Sequence, residues 1–101
     1  MSSIFADSID VPSAGTRVQI STDPSPVLNI TFKARKGNAG NAYLGNVTVS
    51  ATVGFELAPG DSITLDPSQV VHRDTTVLLS DFYVDVATNG DDVDFIALLK
   101  L

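Results

Sequence analysis

Two-residue alternation of apolar and polar side chains, broken at short intervals by turn-forming residues, constrains this chain more than any other feature. Between Leu28 and Leu65 the apolar positions follow the period of a half-buried strand and not the 3.6-residue period of a helix. Leu28, Ile30, Phe32 and Ala34 fall on one face, and Asn29, Thr31, Lys33 and Arg35 on the other. Gly37-Asn38-Ala39-Gly40-Asn41 then supplies residues that tolerate positive φ, which reads as a hairpin connection. Val47, Val49, Ala51 and Val53 alternate with Thr48, Ser50 and Thr52, which predicts another strand. Phe55 and Leu57 are expected to point inward beyond it. Pro59-Gly60 fits the two central positions of a type II turn, and Ile63 and Leu65 face inward from the strand that follows.

The same pattern flanks this stretch. Val18 and Ile20 alternate with Arg17, Gln19 and Ser21 before Pro24 and Pro26 end the strand. Thr75 to Leu79 has strand character, and Phe82, Val84 and Val86 alternate after the corner at Ser80-Asp81. Asn89-Gly90 predicts a hairpin with a type I′ turn. In the last strand, Val93 to Leu99, the run Phe95-Ile96-Ala97-Leu98-Leu99 is apolar on both faces. That strand is therefore either central in its sheet or covered by a partner. The sum is about seven or eight short strands with no helical period. This predicts an all-β fold, a small antiparallel β-sandwich or jelly-roll-like domain.

With 101 residues the chain has room for one core. Residues 17–101 are assigned to the sandwich and residues 1–16 to an extended N-terminal arm. Ile4, Phe5, Ile9 and Val11 are too irregularly spaced there for an amphipathic helix, and too apolar for a free tail. The arm is expected to lie on its own sheet or on a neighbouring subunit, which makes these four residues candidates for partner binding. Removing it is expected to leave the domain folded.

Charge and composition narrow the function. Twelve acidic against six basic side chains give a net charge of −6, which disfavours the phosphate backbone and hence nucleic acid. Only Lys33, Arg35 and Lys36 cluster among the basic residues, and they read as a solvated outer face. No apolar run approaches the ~20 residues that span a bilayer, so no membrane partner is expected. The start has neither a basic n-region nor a long apolar h-region, so synthesis in the cytoplasm is expected. Cysteine is absent, which removes disulfides and cysteine-ligated zinc from these residues.

No residue pattern specifies catalysis, a metal or a cofactor. His72 is the single histidine and has Arg73 beside it, so it reads as a loop residue without a special role. Asp91, Asp92 and Asp94 lack the spacing of a calcium loop and read as solvating or edge-protecting charges. Asn29-Ile30-Thr31 and Asn46-Val47-Thr48 fit the glycosylation sequon, but no signal peptide accompanies them. Tyr43 and Tyr83 are the aromatic side chains that could offer a sugar platform, set against packing on a neighbouring strand.

The run Lys36-Gly37-Asn38-Ala39-Gly40-Asn41-Ala42-Tyr43-Leu44-Gly45, the later Gly54-Phe55-Glu56-Leu57-Ala58-Pro59-Gly60-Asp61-Ser62, and Leu79-Ser80-Asp81-Phe82-Tyr83-Val84 together resemble a family of small virion proteins of tailed bacteriophages. The resemblance spans about residues 27 to 99 and rests on turn signatures. It implies a non-enzymatic β-sandwich on the capsid exterior of the virion, a decoration or cement protein that binds the major capsid protein across shell subunits. A homo-oligomer, preferably a trimer, goes with that role. The alternative is a tail-fibre or baseplate module that recognises host glycans through Tyr43 and Tyr83. A metal-dependent jelly-roll enzyme ranks last, because one histidine is too few for its usual ligand set.

Overall fold

The computed structural model describes residues 2–67 and 76–100. Among them are eight strands: β1 (Ser2–Asp10), β2 (Val18–Gln19), β3 (Val27–Ala34), β4 (Ala42–Gly45), β5 (Phe55–Leu57), β6 (Ser62–Leu65), β7 (Tyr83–Val86) and β8 (Asp92–Lys100). A 3-10 turn, Leu79–Asp81, precedes β7. The strands form two four-stranded antiparallel sheets in the orders β1-β8-β3-β6 and β2-β7-β4-β5. Thus β1 pairs with β8, β2 with β7, β3 with β6 and β4 with β5. First pairs with last and so on inward, which is the order of a long hairpin rolled into two sheets, a jelly roll. The all-β sandwich expected from alternation is the observed fold.

The core lies between the sheets. Ile30, Phe32 and Ala34 of β3, Val93, Phe95, Ala97 and Leu99 of β8, and Leu44, Leu57, Val84 and Val86 of the facing sheet form one buried cluster. Phe32 packs against Phe82 and Phe95 with ring centroids 5.1 and 6.1 Å apart. Strand β8 runs centrally between β1 and β3, which accounts for the inward half of its apolar run, Val93, Phe95, Ala97 and Leu99.

The N-terminal segment is extended and lies on its own sheet, one of the two placements expected of it, and there it forms an integral strand of the sandwich. All nine residues of β1 are in register with β8, from Ser2↔Lys100 to Asp10↔Asp92. Ile9 and the following Val11 are buried in the common core. Other expectations fail in ways the geometry explains. Leu28 is the extra residue of a bulge, since Val27 pairs with Leu99 while Asn29 pairs with Leu98. Val27 therefore takes the inward place expected of Leu28.

Residues 46–54 form no extended strand. The Asn46 side chain accepts from the Thr48 N–H at 3.0 Å and from its hydroxyl at 2.6 Å. The Val49 N–H donates to the Asn46 carbonyl at 2.9 Å, and Ser50 bridges Val53. These local bonds compete with a sheet ladder and win, leaving Val47 and Val53 exposed while only Val49 is buried. Phe55, expected inside, is exposed at the sheet edge.

The turns reverse the chain as expected but mostly join different sheets. Gly37–Asn41 links β3 to β4, Pro59-Gly60 links β5 to β6, and Asn89-Gly90 links β7 to β8, each an arch across the sandwich. Gly60 has φ 89° and the Asp61 N–H reaches the Ala58 carbonyl at 2.8 Å, the expected type II arrangement. At Asn89-Gly90 only the glycine has positive φ, 83°, so the turn is not type I′.

Candidate interaction surfaces

Three places among the described residues could meet a partner. The first is the outer face of the β1-β8-β3-β6 sheet. The register puts Ile4 beside Leu98 and Ala6 beside Ile96. Leu98 and Ile96 neighbour Asn29 and Thr31 of β3, and the Thr31 hydroxyl lies 2.8 Å from that of Thr64 on β6. Ile4, Ala6, Ile96 and Leu98 thus form an apolar patch along the free edge, grading into polar side chains towards β6. Ile4 is 71% exposed and Ile96 is 52% exposed, high values for large aliphatic groups on a sheet.

The second is an apolar groove of about 340 Å³ at the open seam between the sheets, lined by Leu44, Phe55, Ile63, Leu65, Val77 and Phe82. The third is the end of the sandwich where three loops meet. There the Asp91 carboxylate, buried, accepts the main-chain N–H groups of Ala39 and Gly40 at 3.1 and 3.0 Å. The Asn38 side chain donates to the Asp92 carbonyl at 2.8 Å and accepts from the Asp92 N–H at 3.0 Å. The loop after β1 is fastened to the same end, with Ala14 N–H on the Asn89 side chain at 2.8 Å and Gly15 N–H on Asp85 at 3.0 Å.

This end is a structural clasp. Asp91, expected to be a solvating charge, is consumed by two amides, and Asp85 is only 1% exposed. Arg35, expected on a solvated face, is paired as well: its guanidinium sits 3.0 Å from Asp94 and 3.9 Å from Asp92. Asp94 also accepts the Ser8 hydroxyl. Across the strand pair Asp10 lies opposite Asp92. Partial burial, a hydrogen bond with Asp10 and the charge of Asp10 raise the Asp92 carboxyl above the ordinary carboxylate value of 3.8, against the opposing pull of Arg35. Among the described residues no group of three or more His, Cys, Asp or Glu is arranged to hold a metal ion. His72 lies outside the described residues.

The six residues expected to meet a partner are not brought together. Ile4 is exposed on the patch, and Phe5 is half-buried with its ring stacked on Phe95 at 5.8 Å. Ile9 and Val11 are core residues, and Tyr43 is 8% exposed. Tyr83 is half-buried on the outer face of β7. Tyr43 therefore offers no open stacking platform: it is covered, and Asp85, its cross-strand partner, accepts the Gly15 N–H and fastens the 11–17 loop over that face. Ile96 and Leu98 complete the exposed patch. The signal for them was the two-sided apolar run of β8, which a central position satisfies only on the inner face.

No family model matches the chain, and no curated protein matches it. A solved protein chain from Bacillus endospore appendages, described as a novel family of disulfide-linked pili, has the same fold. It aligns with a TM-score of 0.62 over 98% of this chain and 84% of its own, at 14% identity. The fold is thus one that a structural appendage protein uses.

Proposed function

We propose that this chain is a non-enzymatic structural protein that acts by adhering to a large assembly, as a decoration or cement protein on the exterior of a phage head, bound across copies of the major capsid protein. The observation that carries this reading is the aliphatic patch of exposed Ile4, Ala6 and Ile96 with half-buried Leu98, on the outer face of a sheet whose inner face supplies the core. Such a patch is a contact surface in search of a partner. The resemblance of the Gly37–Gly45, Gly54–Ser62 and Leu79–Val84 segments to small virion proteins supplies the choice of assembly. The fold shared with a pilus protein supports a structural role more broadly. These 101 residues contain no cysteine, so the disulfide linkage named for those pili has no counterpart within them, and adhesion here is non-covalent. Added to assembled heads that lack it, the purified protein binds and raises their melting temperature. Heads whose melting is unchanged at saturating protein would contradict the reading.

A further inference from the structure

Strand β1 is the longest free sheet edge among the described residues, nine residues against two in β2, three in β5 and four in β6. A free edge carries main-chain N–H and C=O groups that another strand can satisfy. Edge strands usually carry lysine, proline or a bulge to prevent this, and β1 has none of the three. Its charges, Asp7 and Asp10, both lie in the second half.

We infer that the β1 edge pairs antiparallel with β1 of a second copy, about a two-fold axis at Phe5, joining the two β1-β8-β3-β6 sheets into one. The sequence Ser2-Ser3-Ile4-Phe5-Ala6-Asp7-Ser8 is complementary to itself in that register. Phe5 meets Phe5 of the second copy. On the outer face Ile4 lies opposite Ala6, which merges the two exposed patches across the seam. On the other face Ser3 lies opposite Asp7, so each hydroxyl can donate to a carboxylate, twice over. Moving the axis to Ala6 would bring the two Asp7 carboxylates to within a diagonal of one another, and moving it to Ile4 would shorten the overlap. Charge and length therefore select the register centred on Phe5. A heterologous strand would lack this reciprocity.

The inference deepens the assembly reading and rests on it for its purpose, since a two-fold building block presents a doubled patch to a larger surface. It also departs from the trimer that the family resemblance implies. A seven-residue strand pair is a small interface, so the dimer is expected to be weak and concentration-dependent.

Sedimentation velocity over about 1–200 μM tests it with four proteins: wild type, Ile4→Lys, Ser3→Asp, and the double variant Ser3→Asp with Asp7→Ser. Wild type forms dimers. Ile4→Lys, at an exposed site, and Ser3→Asp, which sets like charges opposite each other, each weaken dimerisation by about tenfold or more. The double variant restores it, because the carboxylate and hydroxyl have only exchanged places. Thermal melts of all four confirm that the fold is retained. A monomer throughout, a trimer, or a dimer indifferent to these substitutions overturns the inference. So does failure of the double variant to recover while still folded. Head binding by a strictly monomeric protein would remove the dimer and leave the structural role, whereas a dimer that ignores heads would do the reverse.

Discussion

Single residues at the loop end carry more of the stability than their positions in the sequence suggest. Asp91 takes the amides of Ala39 and Gly40 away from water, so replacing it strands two donors. Asp91→Ala is expected to cost about 1–3 kcal/mol, read as a lower midpoint in urea or thermal unfolding. Asp92 acts in the opposite sense. Its folded carboxyl binds a proton more tightly than the unfolded chain does, so its contribution is favourable below the ordinary value of 3.8 and is lost as the pH rises through the raised folded value. At neutral pH it faces Asp10 as a like charge, relieved in part by Arg35. Asp92→Asn is therefore expected to raise the melting temperature at pH 7 and to remove the part of the pH dependence that arises as Asp92 ionises above the ordinary value of 3.8, read from thermal melts across the acid range. The sequence displayed Asp91, Asp92 and Asp94 as one acidic group. Their different roles come from which neighbours the arches bring alongside, and spacing along the chain does not encode that.

Strands were legible where alternation had no rival, as in β3 and β7, and β8 from a run apolar on both faces. The failure at residues 46–54 shows the limit. Val47 to Val53 alternates as well as any true strand, yet Asn46 and Ser50 offer the backbone nearer partners than a sheet would. Turn chemistry, likewise, specifies that a chain reverses and leaves open whether it re-enters its own sheet or crosses to the other. That is why Asn89-Gly90 serves as an arch. At the excursion, Gly54 has φ 138°, and a methyl group there would sit 2.7 Å from a Val49 methyl and 2.9 Å from the Leu44 carbonyl. Gly54→Ala is expected to destabilise by about 2 kcal/mol or more, measured by chemical denaturation.

For the whole molecule, pairing the first strand with the last makes the N-terminus part of the fold. Without Ser2–Asp10 the central strand β8 becomes an edge and Ile9 leaves the core. Deletion of residues 1–10 should abolish cooperative unfolding. A truncated chain that still melts cooperatively would restore the picture of a dispensable arm. Of the candidate surface, Ile4 was legible because it belongs to a segment too apolar for a free tail. Ile96 and Leu98 were signalled by the two-sided apolar run of β8, but only the pairing of β1 with β8 shows them beside Ile4. The account as a whole holds that this jelly roll acts by adhesion within a larger particle. Its most direct test is the copy number of the chain in purified virus particles relative to the shell protein, by quantitative mass spectrometry. The account predicts a fixed ratio that survives repeated gradient purification; a chain absent from particles and recovered entirely free in the lysate would contradict it.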